Sequence, residues 1–334
     1  MQENILKLKK ILTNTKQIVI TTHRGPDGDA MGSSLAIMHL LKDLGHYVNL
    51  ITPNSYPDFL HWMPGNDKVI IFEEENIKAQ KLTSNADIIF FMDFSNIDRI
   101  ADYSKLVSNS AATKVLIDHH ENPDTSIADI IFSDIKASST AQLLYEILEK
   151  MDFQHYINKN IAECLYAGIM TDTGSFKYSS TTAKTHHIIA KLIAAGADNP
   201  KIHDLVYDNL SASRMKLLGY CLNEKLLIYT EHNSAIISLT EDELIKFNFK
   251  KGDTEGIVNY ALAIKEIKFA AFIVEKDGVV KLSLRSKGRF KVNEIASKYF
   301  KGGGHANAAG GISETSVNET ITRIEKIITE YKIN

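Results

Sequence analysis

His23, Asp27 and Asp29 stand within seven positions of the stretch "HRGPDGD". Two further aspartates, Asp93 and Asp118, each end an apolar run, and Asp118 is followed at once by His119 and His120. A tight turn alone accounts for Pro26, Asp27, Gly28 and Asp29, because these residue types favour turn geometry. It has no use for His23. Aspartates gathered at one place repel strongly in a low dielectric unless a cation lies between them. Carboxylate oxygens with imidazole nitrogens and no thiolate select a hard or borderline divalent ion, Mn²⁺ or Mg²⁺ ahead of Zn²⁺. The candidates exceed what one ion needs, so two ions sharing a bridging carboxylate fit better, and such pairs serve phosphoryl and phosphodiester hydrolysis. On this reading His23 and Asp27 face one ion and Asp29 faces its neighbour. Gly32 and Ser33 then open a helix whose N-terminal amides can receive phosphate.

The elements that must position these groups follow from hydrophobic periodicity. "QIVITTH" is an apolar run of strand length, "GSSLAIMHLLKDLGH" has helical spacing ending at Gly45, and "YVNLIT" follows as a second strand. Further strand-like runs occur at "KVIIF", "ADIIFFMD" and "TKVLIDHH". Continuous Val/Ile/Phe runs alternating with helices predict a buried parallel sheet wound as βαβ units. In such sheets the functional crevice lies beyond the carboxyl ends of the strands, where three of these strands deliver Asp or His. From Ser138 to about Gly196 the pattern is helical. The predicted division is a metal-binding catalytic domain over 1–198, connecting helices over 199–222, and a smaller α/β domain of hairpins and helices over 223–334.

With 334 residues, 44% hydrophobic and 24% charged, the chain has the composition of a soluble globular protein. No apolar run approaches the roughly 18 residues of a membrane span, and "MQENILKLKKIL" lacks the features of a signal peptide. Cys164 and Cys221 are too few for a disulfide framework or a zinc site of their own, and read as buried reduced thiols in a cytoplasmic protein. A net charge of −3 argues against a long nucleic-acid track. It leaves room for a short anionic substrate held in a local basic pocket.

"HRGPDGDAMGSS", the Asp of "MDFS", "IDHH" and "GIMTDTGSF" resemble, in order, the four motifs of the DHH phosphoesterases. "SLRSKGRFKVNEIASKYFKGGGHANAAGG" resembles their DHH-associated domain, with the GGGH element intact at Gly302–His305. The resemblance covers essentially the whole chain. It implies an α/β fold with a parallel-sheet N-terminal domain, a smaller α/β C-terminal domain and an active site in the cleft between them. The length looks most like the stand-alone branch of oligoribonucleases that also act on 3′-phosphoadenosine 5′-phosphate (pAp). By the family pattern His23, Asp27 and Asp93 would hold one Mn²⁺, and Asp29, Asp93, His119 and Asp172 the second, with Asp93 bridging; Mg²⁺ is the other cation allowed. Asp93, Asp118, His119 and His120 form the implied catalytic group, with Asp118 orienting an imidazole and His120 facing the substrate phosphate. Arg285, Gly302, Gly303, Gly304 and His305 form the implied substrate-binding group.

Implied partners are short RNA, dinucleotides and pAp, with no membrane, no long duplex and a homodimer as an allowed assembly. A cyclic- or linear-dinucleotide phosphodiesterase uses the same four motifs and is the rival enzyme. A family II pyrophosphatase shares the metal motifs without GGGH, and the non-enzyme rival is a nucleotide-binding sensor. Arg24 reads as solvated and Trp62 as a packed loop anchor. His186 and His187, adjacent on a helix and about 100° apart, cannot jointly hold one ion and read as surface histidines. His39, His46, His61, His203 and His232 lack partners at ligand spacing. In "VVKLSLRS", strand alternation puts Lys281, Ser283 and Arg285 opposite Val280, Leu282 and Leu284.

Overall fold

The computed structural model describes residues 1–331. Two compact units divide at Asn209 and Leu210. The first holds six strands: β1 (Gln17–Thr22), β2 (Tyr47–Thr52), β3 (Ile70–Ile71), β4 (Ile88–Met92), β5 (Thr113–Asp118) and β6 (Ile130–Ser133). They form one sheet in the order β3-β2-β1-β4-β5-β6, and every pairing is parallel. Side chains alternate between two cores. Ile18, Ile20, Ile88, Phe90, Val115 and Ile117 join the larger, while Val19, Ile89, Phe91 and Leu116 join the smaller. Burial on both faces is why these strands read as continuous apolar runs rather than alternating ones.

The chain order reverses between β1 and β4, which lie side by side with Thr22 opposite Met92. That is the switch point of a doubly wound sheet. Two expectations change in detail. "KVIIF" supplies only the two-residue β3, and β6 was not anticipated, because its four residues follow a loop with no periodicity. The helical stretch after Ser138 resolves into helices Thr140–Lys150, Lys159–Asp172 and Ala183–Ala194. In the expected connecting segment, Ile202 and Val206 join the first unit's core and Leu217 a core of the second.

The second unit holds β7 (Leu226–Tyr229), β8 (Ser234–Leu239), β9 (Phe269–Lys276), β10 (Val279–Ser286), β11 (Gly303–His305) and β12 (Ala308–Ser313). Their order is β11-β12-β10-β9-β8-β7, antiparallel except for the parallel pair β8–β9. Val280, Leu282 and Leu284 point into a core shared with helices Val292–Tyr299 and Val317–Glu330. Lys281 on the opposite face is exposed, with Ser283 and Arg285 partly so, as the alternation predicts. Among the described residues no helix is long and apolar enough to cross a membrane, and Cys164 and Cys221 are buried free thiols.

Candidate metal centre

The chain leaves β1 at Thr22 and places His23, buried, just beyond the switch point. Asp27 caps the helix Gly28–Asp43: its Oδ1 accepts from the amides of Asp29 and Ala30, both at 3.0 Å. The other oxygen, Oδ2, lies 3.9 Å from His23 Nε2. Asp29, in the first turn, is buried. It accepts from Thr140 N at 2.6 Å and Ala141 N at 2.9 Å, the opening amides of the helix Thr140–Lys150. Asp93 follows β4 with φ +65°, its amide donating to the Ile117 carbonyl at 3.0 Å. Left-handed geometry is unusual for a residue with a Cβ, though Asp tolerates it better than most. Asp118 ends β5, His119 and His120 follow it, and Asp172 ends the helix Lys159–Asp172.

The imidazoles are aimed by carbonyls. His23 Nδ1 lies 3.1 Å from the Arg24 carbonyl oxygen, and His119 Nδ1 lies 3.3 Å from that of Ala137. A carbonyl only accepts, so each ring donates from Nδ1 and turns its Nε2 inward, where the neutral ring offers a lone pair. His23 Nε2 faces Asp93 Oδ2 at 3.6 Å. His119 Nε2 faces Asp172 at 3.3 Å, Asp93 Oδ1 at 3.8 Å and Asp29 at 3.9 Å. Most of these separations are too long for hydrogen bonds. Two donors sharing a cation about 2.1 Å away stand about 3.0–3.4 Å apart, and the observed distances lie at or just beyond that range. Among the described residues of the first unit, three groups of ligand atoms are close enough to hold an ion: His23, Asp27 and Asp93; Asp29, Asp93 and His119; and Asp93, Asp118 and His120. Asp93 belongs to all three.

The electrostatics agree. Burial, and then the charges of Asp93, Asp172 and Asp27, push Asp29 well above the usual carboxylate range. Burial with the charges of Asp27 and Asp93 takes Asp172 up to about 7, despite the opposing pull of His119 and His120. Burial also acts to raise Asp93, but the facing His23 Nε2 and the charges of His120, His119 and His23 outweigh it and hold that carboxyl low. Burial would lower His23, yet the facing carboxylate of Asp93 and the charge of Asp27 leave it raised. The protein alone thus draws protons into a cluster with an excess of carboxylate. A divalent cation satisfies the same charge, and the donor set suits one.

His120 donates from Nδ1 to Asp118 Oδ1 at 2.7 Å. Burial lowers its pKa, but this bond and the Asp93 and Asp118 charges outweigh burial and carry it up to about 9. Asp118 is fully buried, and its Oδ2 has no hydrogen-bond partner among the described residues. Thr140, which the sequence reading passed over, belongs to this cluster. Its hydroxyl donates to Asp93 Oδ1 at 2.7 Å. Its only local signal is the "SST" that starts the helix, which reads as capping.

Two expectations are corrected. Gly32 and Ser33 do not open the helix. It begins at Gly28, and Asp27 already takes the Asp29 and Ala30 amides. Gly32 serves packing instead: a Cβ there would stand 2.5 Å from the Cys164 carbonyl oxygen. Arg24 is not merely solvated but pairs with Glu73 at 2.5 Å. Other expectations hold: His186 and His187 are exposed, and Trp62 packs against the first unit's larger core. His39 faces the Pro64 carbonyl, and His203 the Asn199 carbonyl and the Ser175 hydroxyl, and neither belongs to a ligand group among the described residues.

In the second unit, "GGGH" is an ordered hairpin. Gly303, Gly304 and His305 pair with Gly310, Ala309 and Ala308. Gly304 has φ +139°, and a Cβ there would stand 2.6 Å from the Ala308 carbonyl oxygen. Arg285 lies on the neighbouring β10, its Nη1 donating to the Leu284 carbonyl at 3.0 Å.

Residues 17–169 match the DHH family's N-terminal domain, and residues 232–331 match the DHHA1 domain. The chain is 29% identical to a bifunctional oligoribonuclease and PAP phosphatase of Bacillus subtilis, over 88% of each protein. It is also 29% identical to a cyclic-di-AMP phosphodiesterase of Bacillus subtilis, over 97% of this chain but 49% of that one. The crystal structure of an exopolyphosphatase-related protein from Bacteroides fragilis is similar with a TM-score of 0.95 and 40% identity, covering 99% of this chain and 97% of that one.

Proposed function

The chain belongs to the DHH family and carries a DHHA1 domain, and on that premise we propose that it is a two-metal phosphoesterase. Its substrates on this reading are short oligoribonucleotides, cut to 5′-mononucleotides, and pAp, converted to AMP. The observation that carries the reading is the convergence of His23, Asp27, Asp29, Asp93, His119 and Asp172 around one rim, with two inward-facing Nε2 lone pairs. His23, Asp27 and Asp93 are assigned to one cation, and Asp29, Asp93, His119 and Asp172 to the other, with Asp93 common to both. Mn²⁺ is the preferred occupant. Two cations bound there supply a water of lowered pKa and neutralise charge developing on the phosphoryl group. Asp118 holds the His120 ring, and His120 is assigned to the substrate phosphate.

Arg285, Gly302, Gly303, Gly304 and His305 are assigned to the nucleotide. The stretch from Lys281 to Lys291, "KLSLRSKGRFK", supports this with five cationic residues and no acid. The proposed setting is the cytoplasm. Parallel turnover assays test the reading on pAp, a diribonucleotide, a pentaribonucleotide, a 24-mer, linear and cyclic di-AMP, pyrophosphate and inorganic polyphosphate. pAp and the short RNAs should turn over fastest, with rates falling steeply beyond about five nucleotides, since the modest net charge offers little track for a long backbone. Preferred hydrolysis of cyclic or linear di-AMP would reassign the chain to the dinucleotide phosphodiesterases. Comparable turnover of the 24-mer would reassign it to processive exonucleases.

A further inference from the structure

Thr140 is fully buried at the first position of the helix Thr140–Lys150, and it touches two carboxylates at once. Its hydroxyl donates to Asp93 Oδ1 at 2.7 Å, across 47 positions of sequence. Its amide donates to Asp29 Oδ2 at 2.6 Å, across 111 positions, and the next amide, that of Ala141, donates to Asp29 Oδ1 at 2.9 Å. Ser139 caps the same helix by accepting from Gln142 N at 3.0 Å. The helix N-terminus is therefore capped without drawing on the carboxylates it receives.

The two oxygens of Asp93 are not equivalent. Oδ2 is the one facing His23, at 3.6 Å. Oδ1 is the one facing His119, at 3.8 Å, and it alone accepts the Thr140 hydroxyl. A carboxylate at the end of a strand can rotate about its terminal torsion, which is broad and roughly two-fold. A short hydrogen bond from a buried, helix-anchored hydroxyl removes that freedom.

We propose that Thr140 is a positioning residue for the metal centre, locking the orientation of Asp93 and, through its amide, that of Asp29 before any cation arrives. This rests on the two-cation assignment above. The cation assigned to Asp29, Asp93, His119 and Asp172 depends on both anchored carboxylates. The cation assigned to His23, Asp27 and Asp93 depends on one. Loss of the hydroxyl therefore weakens the former more.

Thr140→Val replaces the hydroxyl with a methyl group of similar shape and keeps the amide bonds to Asp29. Thr140→Ala removes the hydroxyl with less bulk, in case valine disturbs the fold. Thr140→Ser keeps the hydroxyl. Chelated full-length protein is titrated with Mn²⁺ by calorimetry, and turnover of a diribonucleotide is followed against Mn²⁺ concentration. Positioning groups behind metal ligands are typically worth about 10–100-fold in metal affinity. Thr140→Val and Thr140→Ala should therefore weaken one of the two Mn²⁺ steps by about that factor and leave the other within about threefold. Raising Mn²⁺ should recover most of their turnover, and Thr140→Ser should behave like the unaltered protein. Unchanged binding of both ions by the valine and alanine variants overturns the inference, as does a serine variant as weak as valine. Unaltered protein that takes up fewer than two ions overturns the two-cation assignment, and this inference with it, so the two failures are distinguishable.

Discussion

Gly32 lies where the helix Gly28–Asp43 crosses the helix Lys159–Asp172, and it tests whether that crossing sets the site. A methyl group at this position would stand 2.5 Å from the Cys164 carbonyl oxygen, 2.9 Å from Gly168 N and 3.0 Å from Gly168 Cα. All three are main-chain atoms of a buried helix, so no side chain can swing aside. Bringing the tightest contact to 3.4 Å, where ordinary van der Waals contact begins, requires the helices to part by about 0.9 Å. Overpacking of this kind costs about 1–3 kcal/mol, and alanine recovers up to about 1 kcal/mol through helix propensity. With the full recovery, the net expectation for Gly32→Ala is a loss of up to about 2 kcal/mol in urea unfolding. Asp29 sits one turn before Gly32, and Asp172 one turn beyond Gly168, so the two carboxylates separate with the helices. A misplacement near 1 Å costs on the order of 100-fold in rate, measured as kcat on a diribonucleotide at saturating Mn²⁺. Gly219→Ala is the control: that helical glycine has nothing within 4 Å of its added Cβ and no positive φ. It should be neutral, or stabilise by up to about 1 kcal/mol. If Gly32→Ala unfolds at the same urea concentration as the unaltered chain and turns over at the same rate, the close crossing does not position the carboxylates.

Three further outcomes are expected. Asp93→Asn, whose side chain tolerates the positive φ, should fold, bind fewer than two Mn²⁺ by metal analysis and show no turnover; two ions with full activity would exclude Asp93 as the shared ligand. Arg285→Ala or His305→Ala should lower kcat/KM on a diribonucleotide by roughly tenfold to two-hundredfold, the equivalent of about 1.5–3 kcal/mol for a charged hydrogen bond. Hydrolysis of bis-p-nitrophenyl phosphate should change little, and equal large losses on both substrates would move either residue into the chemical step. Asp172 has its folded pKa raised to about 7, chiefly by burial, so its ionisation costs the metal-free fold stability as pH climbs from about 3.9, its unfolded value, through 7. Asp29 acts in the same direction. Added Mn²⁺ should therefore raise the Tm more at pH 8 than at pH 5.5 in chelated protein, and equal shifts would show that these carboxyls do not receive the ion.

The ligand types and the strands that carry them were legible in the sequence because both are local signals. Apolar runs ending in Asp or His mark β1, β4 and β5 whatever lies around them, and a parallel sheet puts all three carboxyl ends on one side. Alternation in "VVKLSLRS" was equally legible, since a strand with one covered face repeats every two residues. What the sequence left open depends on contacts between distant segments. That β1 neighbours β4, so that His23 and Asp93 meet at the switch point, is a matter of strand order, which no local pattern encodes. Asp27 looked like a turn residue or a ligand, and only the three-dimensional chain shows one oxygen capping a helix while the other faces His23. Gly32 and Ser33 looked like a helix start, because glycine required for close helix packing and glycine at a helix end are the same letter. Thr140 was passed over, because the "SST" that starts its helix reads as capping. Its partners lie 47 and 111 positions away, and a hydrogen bond over that distance has no periodicity to read. It exists because the packing of three elements brings the hydroxyl within 3 Å of one carboxylate and the amide within 3 Å of another, and that packing belongs to the tertiary structure alone.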